Sequence, residues 1–267
     1  MNNLKNQGDF GVERKRRFKG LSFNRMIPNI LTLLALVAGL TAIRYGLQDR
    51  WEHAMLAIVA AVILDGLDGR IARLLKGASK FGAELDSLSD FVCFGVAPAL
   101  MLYLWSMQDA GRLGWALVML FTICCGLRLA RFNVALDDDN APVWKGRFFT
   151  GVPAPAGAGL VLLPLIFSFQ MGGTFFRETW VVGLFLLVVA GLMVSTIPTY
   201  SFKRLKIGRR WILPTMLIVG AVTVFLINAP WMTLSIIGFA YIVSIPVSIR
   251  DHRRLQKAEA APPAPTP

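Results

Sequence analysis

The chain has little sulfur and little imidazole, with three cysteines and two histidines among its 267 residues. Cys93, Cys124 and Cys125 all fall inside apolar runs and lack the paired spacing of a zinc site. A disulfide framework and a thiolate metal centre are thereby excluded, and the three read as reduced packing residues. His53 and His252 stand at the edges of apolar runs without the partner that catalysis by imidazole needs. Acid is scarce too: 16 Asp and Glu stand against 28 Lys and Arg, and only 16% of residues are charged. With 55% hydrophobic residues and a mean hydropathy of +0.57, an ordinary soluble domain is excluded as well.

Long apolar runs account for that composition. Stretches of about 20 residues, enough to cross a hydrocarbon core of about 30 Å, fall at residues 27–47, 53–75, 83–107, 114–135, 150–170, 178–198, 212–229 and 231–249. They predict an all-α polytopic transmembrane helix bundle of about eight spans. An even number puts both termini on one side, and that side collects 24 of the 28 basic residues, leaving Arg44, Arg50, Arg112 and Arg177 opposite. By the positive-inside rule the basic side is cytoplasmic, which implies a multi-pass protein of the inner (plasma) membrane. The expected organisation is a basic juxtamembrane segment at 1–26, a membrane domain at 27–249 and a cytoplasmic tail at 250–267, whose end AEAAPPAPTP reads as disordered. The net charge of +12 sits beside membrane spans, as in the run Arg14, Lys15, Arg16, Arg17 and Lys19. Anionic lipid headgroups are therefore the expected partner, and nucleic acid is not.

Against this apolar background four aspartates gather in DGLDGRIARLLKGASKFGAELDSLSD, residues 65–90, in the pattern D-x2-D-G-x2-A-R-x8-G-x3-D-x3-D. Carboxylates in or beside a bilayer are costly unless cations neutralise them, so such a cluster points to function. On helices, Asp65, Asp68, Gly69 and Ala72 share one face, and Gly82, Asp86 and Asp90 share another. Placed face to face, the four acids repel one another, and two divalent cations would cancel their charge. An all-oxygen donor set with no nearby Cys or His selects Mg²⁺ or Mn²⁺. Gly69, Ala72 and Gly82 leave room for a ligand against the backbone, and Arg73 offers a fork for phosphate. Periodicity does not separate Asp86 from Asp90 in role.

With every position of that pattern filled, the chain resembles the CDP-alcohol phosphatidyltransferase family over roughly residues 20 to 200. The resemblance implies transfer of a phosphatidyl or related group from a cytidine diphosphate donor to an alcohol, with release of CMP. It further implies that Asp65, Asp68, Asp86 and Asp90 surround two metal ions, that Asp90 is the general base, and that the enzyme is a homodimer. In similar proteins an Asn and a Thr of the first span reach the nucleotide, which carries over to Asn29 and Thr32 in IPNILT. Asn29, Thr32, Gly69, Ala72, Arg73 and Gly82 are thus the expected contacts of CDP-diacylglycerol.

The acceptor rests on two later segments, GLRLARFNVA at 126–135 and GRFFTGVPAPAGAG at 146–159, which resemble those of the membrane-integral bacterial branch that uses L-serine. Serine carries a carboxylate suited to an arginine fork, and Arg128 and Arg131 lie within one helical turn. One of them is expected to hold it. Asn133 and the run Asp137, Asp138 and Asp139 are placed to meet the ammonium group. The alternatives are another acceptor (choline, glycerol 3-phosphate or an inositol derivative) or, in a different class, a divalent cation transporter using the same aspartates.

Overall fold

A computed structural model describes residues 23–75, 79–136, 148–200 and 209–259. The basic run at 14–19, the acidic run at 137–139 and the proline-rich end beyond 259 lie outside these residues. The described residues form helices α1 (Phe23–Gly46), α2 (Trp51–Leu74), α3 (Lys80–Asp90), α4 (Ala97–Trp105), α5 (Gly111–Leu136), α6 (Ala154–Val161), α7 (Leu163–Met171), α8 (Thr179–Val194), α9 (Ile212–Asn228) and α10 (Pro230–Glu259). Strands β1 (Phe148–Thr150) and β2 (Pro198–Tyr200) pair antiparallel, Phe148 opposite Tyr200.

Among the described residues, five stretches are long and apolar enough to cross a membrane: 26–46, 80–105, 107–135, 154–171 and 230–256. Helices α8 and α9 are apolar but shorter. Helix α2 has the length, yet it carries Asp65, Asp68, Arg70 and Arg73 near its end. The chain is an all-α membrane protein, and the charges that lower the apolarity of α2 are those of the motif.

Small residues set how closely these helices approach, as expected where lipid supplies no hydrophobic drive for association. Ala35, Ala42, Ala54 and Ala61 are at most 1% exposed along α1 and α2. A Cβ on Gly39 would come within 2.7 Å of Cys93 Sγ, and one on Gly157 within 2.8 Å of Met193 Sδ. Cys93 Sγ donates to the Ala35 carbonyl (3.3 Å), and all three cysteines are free. Phe94, Met101, Leu102, Phe121, Leu165 and Leu186 fill the core between α4, α5, α7 and α8. Helix α9 is the reverse case: none of its residues is buried, and it presents side chains such as Leu213, Met216 and Phe225 outward.

Three local features depart from uniform spans. Between α3 and α4 the chain widens into a π-helical turn, Phe91–Val96, directly after Asp90 and before Pro98, which has no N–H to give to the carbonyl four residues back. The span at 154–171 divides at Leu162 ahead of Pro164. Its entry is irregular because Gly151 adopts φ +78°, where a Cβ would come within 2.5 Å of the Met193 carbonyl oxygen.

Helix α10 continues to Glu259, past the expected end of the membrane domain at 249. Residues 250–259, the first part of the expected tail, are helical. Tertiary contacts hold them: Tyr200 donates to the Asp251 carboxylate, and His252 packs edge-on against Phe148 at 5.1 Å. The bond to Asp251 raises the pKa of the Tyr200 hydroxyl above its ordinary value. His53, at the other end of the bundle, meets Arg50 Nη2 (2.9 Å) and the Tyr45 ring.

Candidate active site

Helices α2 and α3 carry the motif, and the start of α1 lies across both. Ser79 caps α3, its hydroxyl accepting from Gly82 N (3.0 Å), which fixes where the helix begins and so which face Gly82, Asp86 and Asp90 share. Gly82 leaves room for the Asn29 side chain of α1: an added Cβ would meet Asn29 Oδ1 at 2.8 Å and push that side chain aside. Ser89 donates to the Thr32 carbonyl (3.2 Å), a second tie between these helices.

One carboxylate oxygen from each of Asp65, Asp68 and Asp86 lies within 4.8 Å of the other two. Thr32 Oγ1 donates to Asp68 Oδ2 (2.6 Å) and also lies 3.1 Å from the Pro28 carbonyl oxygen. The Asp90 carboxyl faces that of Asp65, with Asp86 and Arg128 the next charged neighbours. Its Oδ1 is buried without a hydrogen-bond partner among the described residues. The structure thus gathers three of the four expected acids, Asp65, Asp68 and Asp86, into one cluster, with Asp90 outside it but facing Asp65 and carrying an unmet buried oxygen, an all-oxygen set of the kind a hard divalent cation takes. The residues fit a metal centre.

Beside the acids opens a cavity of about 380 Å³ lined by Asn29, Thr32, Asp68, Gly69, Ala72, Arg73, Gly82 and Asp86. Gly69 has open space where a Cβ would stand. Arg73 Nε donates to the Gly69 carbonyl (2.9 Å), which leaves its terminal nitrogens exposed at the cavity. The residues expected to contact the nucleotide donor thus share one space.

The two arginines of α5 separate. Arg131 donates to four backbone carbonyls, those of Val194 (2.7 Å), Thr150 (2.9 Å), Ser195 (3.0 Å) and Met193 (3.2 Å), and so ties the end of α8 to β1. Arg128 is 6% exposed, lies over the Phe132 ring at 5.2 Å, and donates no hydrogen bond among the described residues. Asn133 Nδ2 donates to Ser87 Oγ (2.9 Å), binding α5 to α3.

Two features had no signal in the motif. An apolar cavity of about 290 Å³ lies between α2, α6, α7, α9 and α10, and its wall includes Val62 and Ile63, within one turn of Asp65. Tyr241 of α10 borders the same cavity and has Arg128 and Thr199 as its polar neighbours.

A family model described as CDP-alcohol phosphatidyltransferase matches residues 25–190, and a second, CDP-alcohol phosphatidyltransferase 2, matches residues 210–246. A Mycobacterium tuberculosis protein named CDP-diacylglycerol-serine O-phosphatidyltransferase is 38% identical over 245 residues, 92% of this chain and 84% of the relative. Proteins of the same name from Mycobacterium leprae and Helicobacter pylori are 39% identical over 244 residues and 40% identical over 185 residues. These alignments cover 91% and 68% of this chain, and 79% and 74% of the respective relatives.

Proposed function

The chain belongs to the CDP-alcohol phosphatidyltransferase family, and from that premise we propose that it transfers the phosphatidyl group of CDP-diacylglycerol to the hydroxyl of L-serine, giving phosphatidylserine and CMP. The observation that carries this reading is the single cavity in which α1, α2 and α3 gather the nucleotide-side residues against converging aspartates. The names of the relatives support serine as acceptor.

Asp65, Asp68, Asp86 and Asp90 would hold two divalent ions, Mg²⁺ or Mn²⁺. When bound, such ions neutralise the pyrophosphate and stabilise the leaving oxygen. Asn29 and Thr32 bind the nucleotide from α1, Arg73 takes a phosphate oxygen, and Gly69, Ala72 and Gly82 let the donor lie against the backbone. Thr32 also fixes one Asp68 oxygen in place. Asp90 receives the serine hydroxyl proton as that oxygen bonds to the phosphatidyl phosphorus and the bond to CMP breaks. Of the two arginines, Arg128 is the one for the serine carboxylate, since the Arg131 fork is occupied by carbonyls. The apolar cavity beside Val62 and Ile63 takes an acyl chain of the donor.

The same reading puts about eight spans in the inner membrane, with both termini and the active site facing the cytoplasm, and pairs the chain as a homodimer. Detergent-purified protein with Mn²⁺ or Mg²⁺ should convert CDP-diacylglycerol and labelled serine to a lipid product with stoichiometric CMP. Product from another alcohol and none from serine would reject the acceptor. Metal uptake into proteoliposomes without CMP release would favour a transporter.

A further inference from the structure

The Tyr241 hydroxyl is buried and has no hydrogen-bond partner among the described residues. Its polar neighbours are Thr199 and Arg128. The Thr199 hydroxyl gives its own proton to the Gly151 carbonyl (2.8 Å) and makes no hydrogen bond of ordinary geometry with Tyr241. Arg128 is a pure donor, so it offers the tyrosine proton nothing. Two donors, a phenol O–H and a buried guanidinium without a hydrogen-bonded acceptor, are therefore neighbours where α5, α10 and β2 meet. The ring of the same tyrosine lies on the apolar cavity beneath.

Unmet buried hydroxyls weaken a fold, and neighbouring donors without an acceptor do so jointly. Arg128 has the Asp90 carboxylate as its charged neighbour but no hydrogen bond to it, so what the pair lacks is a hydrogen-bonded acceptor. An ammonium would be repelled by Arg128, whereas a carboxylate accepts from both groups at once. We propose that Tyr241 is a specificity-determining residue for the acceptor, its hydroxyl donating to the α-carboxylate that Arg128 binds. Helix α10, far in sequence from the aspartate motif, thus reads the part of the acceptor that distinguishes an amino acid from a plain alcohol. The inference rests on the serine reading above and adds to it the group that recognises the carboxylate.

The test compares wild type with Tyr241→Phe, using serine and serinol, which replaces the carboxylate by a hydroxymethyl group. In Tyr241→Phe, KM for serine should rise about tenfold, the loss of one hydrogen bond to a charged group. The preference for serine over serinol in kcat/KM should fall by a similar factor. KM for CDP-diacylglycerol should stay within about twofold, and Tm should hold or rise because a buried unmet hydroxyl has gone. An unchanged serine KM, an equal loss with both acceptors, or a lowered Tm with no change in acceptor preference would overturn the role of Tyr241. Failure of the wild type to use serine at all would overturn the acceptor reading itself.

Discussion

The two sides of the site are built differently. On the donor side, Asp65 to Asp90 lie within one stretch of sequence, and their polar neighbours already hold one another: Thr32 to Asp68, Ser79 to Gly82, Arg73 to Gly69. On the acceptor side, Arg128, Thr199 and Tyr241 come from α5, β2 and α10, and two of the three have no hydrogen bond among the described residues. The donor side is a preformed cradle. The proposed acceptor side is assembled by tertiary packing, and Arg128 and Tyr241 there make no hydrogen bond among the described residues.

That contrast can be broken most severely at the acid where the two sides meet. Asp90→Asn keeps the shape of the side chain but cannot take the serine proton, so turnover should fall by at least about 10³-fold, while CDP-diacylglycerol binding, measured by equilibrium dialysis of labelled donor in micelles, largely survives. Near-normal turnover would remove Asp90 from its role. The arginine pair comes next. Arg128→Ala should raise serine KM by about 100-fold with Tm little changed, whereas Arg131→Ala should lower Tm by about 5 °C or more, because four carbonyls lose their donor. Equal effects of the two on KM would erase the division of labour.

Smaller effects should sharpen the donor side. Thr32→Val removes the hydroxyl that fixes Asp68 Oδ2; kcat should fall about tenfold, with the apparent Mn²⁺ requirement rising in a titration of initial rate. In Gly82→Ala the new Cβ must displace the Asn29 side chain from 2.8 Å. KM for CDP-diacylglycerol should rise severalfold while serine KM stays constant, and an equal change in both would place Gly82 in general packing.

The same contrast explains how much could be read from the residues alone. The apolar stretches foretold where helices lie, though not how many cross the membrane, because hydropathy and length are local properties. The clustering of Asp65, Asp68, Asp86, Gly69 and Gly82 was legible because a helix repeat converts spacing into shared faces, and it needed only two helices and a turn. What spacing could not carry is partner choice across the fold. Arg128 and Arg131 look equivalent on α5, and only the carbonyls of α8 and β1 distinguish them. Tyr241 reads as one more aromatic residue in an apolar helix. The π-helical turn after Asp90 and the continuation of α10 to Glu259 likewise depend on contacts made far along the chain, with Pro98 the sole local hint of the former.

The central claim is that the aspartates of α2 and α3 bind divalent ions beside the donor cavity. Mn²⁺ binding, followed by electron paramagnetic resonance of free ion in a titration of purified protein with CDP-diacylglycerol present, tests it without relying on turnover. The account predicts saturation near two ions per chain, lost in Asp65→Asn and Asp86→Asn while both variants remain folded. Absence of saturable Mn²⁺ binding in the wild type, or binding unchanged in both variants, would contradict it.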